Sequence, residues 1–167
     1  MRRVRRAGGI GLVVALLGFL LNYGWEMAQM PAYRDRTGKP FDMNVAEAAL
    51  HCLVPTLGDV LVVIITFVLG ALIHRRCDWI RTLGWRDVLL VSIPLVLLAM
   101  VVEFVAVDRL DRWHYSSLMP LVPVVEVGLF PTIQLAFLTV LSFTLGGWLV
   151  TVWDRLGQHR QSQAREQ

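Results

Sequence analysis

The sequence is poor in charged residues. Asp, Glu, Lys and Arg make up 17% of its 167 residues, whereas soluble domains carry about 25%. Hydrophobic residues make up 56%, and they occur in long runs rather than at the spacing of a soluble core. The length suits one domain. The composition therefore argues against a soluble domain and predicts a polytopic membrane protein.

The sequence also lacks the motifs of several enzyme classes. It has no glycine-rich phosphate loop, no zinc-ligand spacing and no Gly-x-Ser-x-Gly motif, so we expect no cofactor and no metal. The two cysteines, Cys52 and Cys77, are expected at different depths, which excludes a disulfide between them. All but one of the basic residues are arginines. They lie at predicted helix ends, as topology and headgroups require, so we expect no nucleic-acid partner.

Four long apolar segments predict an all-α bundle of four transmembrane helices. Each segment is long enough to cross a hydrocarbon core about 30 Å thick at about 1.5 Å per residue. Asn44 and Glu47 fit a capping box that starts the second helix. The predicted spans are residues 8–30, 45–74, 87–107 and 131–153. Residues 1–155 then form a single transmembrane domain, and residues 156–167 a polar tail without regular structure.

The distribution of basic residues predicts the orientation. Four arginines precede the first apolar run, which is also typical of a signal peptide, but no clear Ala-x-Ala cleavage site follows and we expect a retained helix. Eleven basic residues fall in the N-terminus, the second loop and the tail, and five in the first and third loops. The positive-inside rule therefore places both termini in the cytoplasm.

The segment 118–130 differs from the spans. It is apolar, but Pro120, Pro123 and Pro131 interrupt it, and it is too short to cross a bilayer. A segment of this kind predicts an interfacial or re-entrant stretch on the outer face that leads into the fourth span.

Polar side chains recur within the predicted spans. Each ionisable group costs at least about 2.5–3.5 kcal/mol at the centre of a bilayer, so those present need a partner or a function. Three polar residues of the first span fall within about 60° on one helical face, and Glu47 and His51 share a face of the second. The residues concerned are Asn22, Glu26, Gln29, Glu47, His51, Asp59, Glu103 and Gln134, with Glu126 just before the fourth span.

The depths of these groups agree. From the rise per residue, Glu26 lies about 10 Å, Glu103 about 9 Å and Gln134 about 12 Å outward of the midplane. Asp59 lies about 6 Å outward of the middle of its apolar run. The cytoplasmic halves of the spans have almost no such groups. This shared level predicts a polar pocket open toward the outer leaflet, built from Glu26, His51, Asp59, Glu103 and Gln134.

Three other interpretations remain open at this point. Polar side chains can bond across helices simply to hold a bundle together. Glu47 and His51 can lie at the water interface rather than in a pocket. Glu47 and His51 with two further carboxylates could also bind a metal, but a single intramembrane histidine is a weak signal and we predict no metal site.

Aromatic residues gather near the outer ends of the predicted spans. Trp25, Tyr33, Trp113 and Tyr115 are typical of the aromatic belt at a membrane interface. The indole faces of Trp25 and Trp113 could also stabilise a carbocation.

Two sets of motifs carry a family resemblance. The first is Asn22-Tyr23-Gly24-Trp25-Glu26, Gln29, Pro31 and Tyr33, followed by His51 and Gly58-Asp59. The second is Glu103, Arg112-Trp113-His114-Tyr115, Val127-Gly128-Leu129-Phe130-Pro131 and Gln134. Together they resemble a group of bacterial four-helix inner-membrane proteins of uncharacterised activity. The resemblance implies a location in a bacterial inner membrane and covers most of the chain.

The second set also resembles, over about 30 residues, the membrane-embedded lycopene cyclases of carotenoid synthesis. In those cyclases acidic residues follow the proline that opens a helix. Here Pro131 is followed by Thr132, Ile133 and Gln134, which are uncharged. The acid of the cyclases therefore has no counterpart at this place.

The sequence thus favours a membrane enzyme that acts on an isoprenoid or lipid by protonation and deprotonation, as in isomerisation or cyclisation. Glu26, Asp59 and Glu103 are the candidate acids and bases, and His51 the candidate relay. Two alternatives are a non-catalytic lipid-binding or transport protein and a structural subunit that meets a membrane partner or a second copy. The predicted substrate-binding residues are Asn22, Trp25, Glu47, Trp113, Tyr115 and Gln134.

Overall fold

A computed structural model of the chain describes residues 2–163, with side chains described for residues 8–158. The arginines at positions 2, 3, 5 and 6 lie outside the described side chains, and residues 164–167 of the predicted tail lie outside the described residues. Within the described residues the chain forms four long helices and a short antiparallel ribbon. The helices are α1 (Arg2–Gln29), α2 (Val45–His74), α3 (Trp85–Phe104) and α4 (Leu129–Gln163).

All four helices are long and apolar enough to cross a membrane, which confirms the predicted all-α transmembrane bundle. The candidate spans are Gly8–Ala32, Val45–His74, Trp85–Arg109 and Leu129–Gln158. The third includes a turn of π-helix, Val105–Arg109, that continues α3. The helix α4 also continues past Trp153 to Gln163. The expectation of an irregular tail is thus wrong as far as Gln163, because residues 154–163 contain no proline to stop the helix.

The predicted capping box starts α2 at the expected residue. Asn44 Oδ1 accepts hydrogen bonds from the backbone N–H groups of Ala46 and Glu47, at 3.0 and 3.1 Å. In return Glu47 Oε2 accepts from the backbone N–H of Asn44 at 2.9 Å. These bonds satisfy donors that a helix N-terminus otherwise leaves free. They also hold the carboxylate of Glu47 at the helix end.

The helices are arranged in the order α2, α1, α4, α3. The helix α1 packs against both α2 and α4, and α4 packs against α3. Between α2 and α3, little or no contact occurs in the described part of the chain. The two central helices therefore form the back of the bundle, and a gap separates the two flanking ones.

Residues 75–84 connect α2 to α3 at what we term the hairpin end of the bundle. A short 3-10 helix there, Trp79–Thr82, packs on α4. The indole of Trp79 is almost fully buried, and its Nε1 donates a hydrogen bond to the carbonyl of Phe67 at 3.2 Å. The indole ring of Trp79 lies directly on Gly70, where any side chain would overlap the ring. Trp79 thus anchors the connection in the apolar core, beside Phe67 and Phe143.

A two-stranded ribbon closes the opposite end, which we term the ribbon end. Strand β1 (Tyr33–Arg34) pairs antiparallel with β2 (His114–Tyr115), with Tyr33 opposite Tyr115 and Arg34 opposite His114. Ser116 reinforces the pairing, since its hydroxyl donates to the carbonyl of Pro31 at 3.0 Å. The ribbon joins the connection after α1 to the connection after α3, and it was not predicted.

The segment 118–130 forms a compact turn rather than a helix until α4 begins. An isolated bridge pairs Leu121 with Gly128, and Val122 N–H donates to the carbonyl of Val127 at 2.8 Å. Val124 at the tip is 98% exposed, whereas Val127 is buried. The exposed apolar tip is compatible with an interfacial segment, which stays a prediction.

Candidate functional site

A cavity of about 770 Å³ lies between the helices at the ribbon end. We term it the ribbon-end cavity. Residues from all four helices line it, together with residues of the two connections that carry the ribbon. Most of its wall is apolar. Its polar lining from the helices consists of Glu26, Gln29, His51, Asp59, Glu103 and Gln134.

Gln134 of α4 is the centre of a buried hydrogen-bond network. Its Nε2 donates to Glu26 Oε1 of α1 at 2.8 Å and to Asp59 Oδ2 of α2 at 2.9 Å. A primary amide has two N–H donors, so these two bonds use both. Asn22 Oδ1, at 3.3 Å from the same nitrogen, competes for them. One amide thus links two carboxyl groups that come from different helices.

Gln29 completes the network on α1. Its Nε2 donates to Gln134 Oε1 at 2.8 Å and to Glu26 Oε1 at 3.0 Å. Its own carbonyl oxygen accepts from the indole Nε1 of Trp25 at 3.0 Å. The side-chain amides of Gln29 and Gln134 are therefore bonded to one another, and both donate to the carboxyl group of Glu26. These connected bonds fix the position of that carboxyl group.

Glu103 of α3 forms a second polar group in the cavity wall. The hydroxyl of Tyr115 in β2 donates to Glu103 Oε2 at 2.6 Å. Burial, and then the bond to Glu103, raise the pKa of the Tyr115 phenol well above its ordinary value. The phenol therefore stays protonated at neutral pH and remains a donor. This contact ties the ribbon to α3 within the site.

Trp113 also lies beside Glu103. Its Nε1 is buried and is the one buried side-chain nitrogen or oxygen without a geometrically formed hydrogen bond in the described part of the chain. The edge of Trp113 meets the ring of Tyr33, whose centroid is 5.9 Å away. Burial is the main cause that raises the pKa of Tyr33. Trp113 and Tyr33 thus form an aromatic part of the cavity wall next to Glu103.

The structure brings most of the predicted site residues together, but only some of them line the cavity. Glu26, His51, Asp59, Glu103, Trp113 and Gln134 line the cavity. Asn22, Trp25 and Tyr115 do not line it but hydrogen-bond to residues that do. These three therefore hold lining residues in place and do not themselves line the cavity.

Glu47 does not belong to the site. Its side chain is exposed at the start of α2, where it forms the capping box with Asn44. Glu47 therefore caps the helix and does not line the cavity, because the backbone N–H of Asn44 donates to its carboxylate. His51, one turn further along, does reach the cavity and packs against Phe41 with ring centroids 5.4 Å apart.

Several lining residues were absent from the predicted site, and Gln29, Arg36 and Arg112 are three of them. Gln29 shares the polar face of α1 with Glu26, and this spacing could have identified it. Arg36 and Arg112 come from the connections on either side of the ribbon. No helical periodicity applies to them, so the sequence alone offered no signal for their position.

No group of three or more His, Cys, Asp or Glu side chains is placed to share a metal ion among the described residues. Cys52 is buried in α2 and Cys77 is exposed in the connection to α3, and both are free. Comparison with protein-family models, curated proteins and solved structures finds no match to this chain. The cavity and its residues are therefore the basis for a functional proposal, and the family resemblance stays a prediction.

Proposed function

We propose that the protein binds a hydrophobic isoprenoid or lipid in the ribbon-end cavity and catalyses its isomerisation or cyclisation by acid-base chemistry. The observation that supports this most is the convergence of Glu26, Asp59 and Glu103, from three helices, on one largely apolar cavity. A structural subunit needs polar groups that face outward to a partner. Here the carboxyl groups face inward, which favours an occupant within the bundle.

The chemistry needs only proton transfers. A protonated carboxyl group donates its proton to one carbon of a substrate double bond, which forms a C–H bond and leaves a carbocation on the neighbouring carbon. A second double bond can then attack this cation and close a ring. A carboxylate removes a proton from an adjacent carbon, and the electrons of that C–H bond restore a double bond. The product is an isomer of the substrate, and no electrons are exchanged with another reactant.

The arrangement suggests a division of roles. Glu26 and Asp59 share the amide of Gln134, while Glu103 is held separately by Tyr115. Two separate carboxyl sites can serve as donor and acceptor of the proton in one cycle. The indole face of Trp113 can stabilise the intermediate cation, and His51 can relay protons from the exposed side of the cavity.

The charge distribution of the loops supports an orientation for the bundle. The ribbon end carries five of the sixteen basic residues in its two connections. We therefore assign the ribbon end to the outer leaflet and the hairpin end, with both termini, to the cytoplasmic side of a bacterial inner membrane.

A deletion strain tests the proposal. Lipids are extracted from the strain, separated by chromatography because isomers have equal mass, and identified by fragmentation mass spectrometry. The strain should show loss of one isoprenoid or lipid and accumulation of its isomer. Wild type and Glu47→Gln, which alters a carboxyl group outside the cavity, should restore the profile. Glu103→Gln and Glu26→Gln should not. An unchanged lipid profile on deletion, or full restoration by both cavity variants, contradicts acid-base catalysis.

The second candidate function is non-catalytic lipid binding or transport. The gap between α2 and α3 favours it, since it leaves the cavity open on one side. In that case the purified protein binds the lipid, Glu103→Gln binds it equally well, and the lipid is recovered chemically unchanged.

A further inference from the structure

The rim of the ribbon-end cavity carries two arginines, Arg36 and Arg112. The antiparallel register of the ribbon places these two positions opposite one another when it is continued beyond Arg34 and His114. The imidazole Nε2 of His114 lies 3.2 Å from the carbonyl oxygen of Arg36, so the two segments stay adjacent there. The pairing of β1 with β2 therefore brings two guanidinium groups to one mouth.

Neither guanidinium is neutralised by the protein. Within the described residues, the side chains of Arg36 and Arg112 form no ion pair and no hydrogen bond. Three carboxyl groups line the same cavity, yet they are bonded to Gln134, Gln29 and Tyr115. Guanidinium groups bind phosphate oxygens in a planar, two-bond geometry and remain charged at all relevant pH values. The mouth thus has unused capacity for an anion.

The cavity also has an apolar opening to the side. Leu50 and Val54 of α2, and Leu98 and Val102 of α3, line it and are exposed at the same time. Val54 is 76% exposed and Val102 51% exposed. In a bilayer these side chains face lipid across the gap between the two helices. A hydrocarbon chain can therefore extend from the cavity into the bilayer without crossing a polar wall.

From these observations we infer that the occupant is a membrane lipid with a phosphate headgroup on an isoprenoid chain. Its phosphate binds between Arg36 and Arg112, its first isoprene units lie beside the carboxyl groups, and its chain leaves between α2 and α3. This inference rests on the proposed function and names the substrate class of the same site. It distinguishes the site from one for a neutral isoprenoid, because a neutral molecule leaves both guanidinium groups without a partner.

Calorimetric titration of the full chain in phosphatidylcholine nanodiscs tests the inference. The probes are farnesyl phosphate, the neutral alcohol farnesol and inorganic phosphate. We expect farnesyl phosphate to bind at least tenfold more tightly than farnesol, which corresponds to about 1.4 kcal/mol. Arg36→Gln combined with Arg112→Gln should abolish this preference and leave farnesol binding unchanged, which also shows that the cavity is intact.

Arg109→Gln is the matched control. Arg109 lies at the same end of the bundle but packs over the ring of Phe104 and does not line the cavity. The inference is overturned if farnesol binds as tightly as farnesyl phosphate, if the double variant keeps the preference, or if inorganic phosphate alone binds as tightly as the lipid. Failure of acid-base catalysis gives a different result, because Glu103→Gln would then restore the deletion strain while the phosphate preference persists.

Discussion

Gln134 and Asp59 join two helices that touch at few other places. The 2.9 Å bond from the Gln134 amide to Asp59 crosses from α4 to α2, and the same nitrogen donates to Glu26 of α1. Three of the four helices therefore meet at one side chain, which lines the ribbon-end cavity.

Gln134→Leu should destabilise the bundle, because it leaves two half-buried carboxyl groups, those of Glu26 and Asp59, without their shared donor. Interhelical polar contacts in membranes contribute about 0.6–2 kcal/mol each, so we expect a loss of about 1–3 kcal/mol in the free energy of unfolding. Denaturation in detergent micelles measures it. Ser142→Ala is the control, since the Ser142 hydroxyl bonds only to Leu138 O in its own helix. Equal stability of the two variants would show that the network does not hold the helices.

Tyr115→Phe should lower turnover of the native lipid about tenfold or more without weakening its binding, because the variant removes the donor that positions Glu103. Separate values of kcat and KM for the purified variant measure turnover and binding, and the lipid profile of the complemented deletion strain measures activity in the cell. Tyr33→Phe is the control. Its ring centroid lies 6.0 Å from that of Tyr115, and its loss of a hydroxyl leaves the bond to Glu103 in place. A Tyr115→Phe variant with unchanged kcat would exclude a positioning role.

Gly70→Ala should destabilise the hairpin end, because a methyl group at this position overlaps the indole of Trp79. Overpacking of a rigid core typically costs about 1–3 kcal/mol. Gly58→Ala in the same helix meets no atom within 4 Å, so its effect should stay within about 1 kcal/mol. Thermal unfolding of both variants provides the comparison, and a Gly70→Ala protein as stable as Gly58→Ala would contradict the packing described here.

Val54→Trp and Val102→Trp should slow lipid binding, because both side chains project into the gap through which a chain would pass. We expect the association rate of farnesyl phosphate, measured by stopped flow in nanodiscs, to fall several-fold. Val68→Trp changes a lipid-exposed position of α2 that does not line the cavity. If all three variants associate at the wild-type rate, the ligand does not pass between α2 and α3.

The parts of this structure that sequence predicts are those set by local physics. Hydropathy located all four helices, and the Asn44–Glu47 capping box located the first residue of α2. Helical spacing placed Glu26 and Gln29 on one face. The common depth of the polar residues predicted that Gln134 and Asp59 would share a level, and they are in fact bonded.

The parts that sequence missed depend on contacts between distant segments. The ribbon pairs Tyr33 with Tyr115. No local sequence pattern in either strand predicts which segment it pairs with. The positions of Arg36 and Arg112 follow from that pairing. Glu47 was predicted both to cap α2 and to contact substrate, because its spacing to His51 is compatible with either role. The structure shows the cap, with the backbone N–H of Asn44 as donor, and places Glu47 outside the cavity lining.

The order of the helices leaves α2 and α3 linked mainly at one end. In the described part of the chain they have little direct contact along their length, and residues 75–84 with the buried Trp79 connect them at the hairpin end. At the same end, the imidazole Nε2 of His74 in α2 lies 3.1 Å from Oδ1 of Asp87 in α3. At the ribbon end the two flanking helices instead have little direct contact in the described part of the chain, so the width of the gap there is set by how each one packs on its central neighbour.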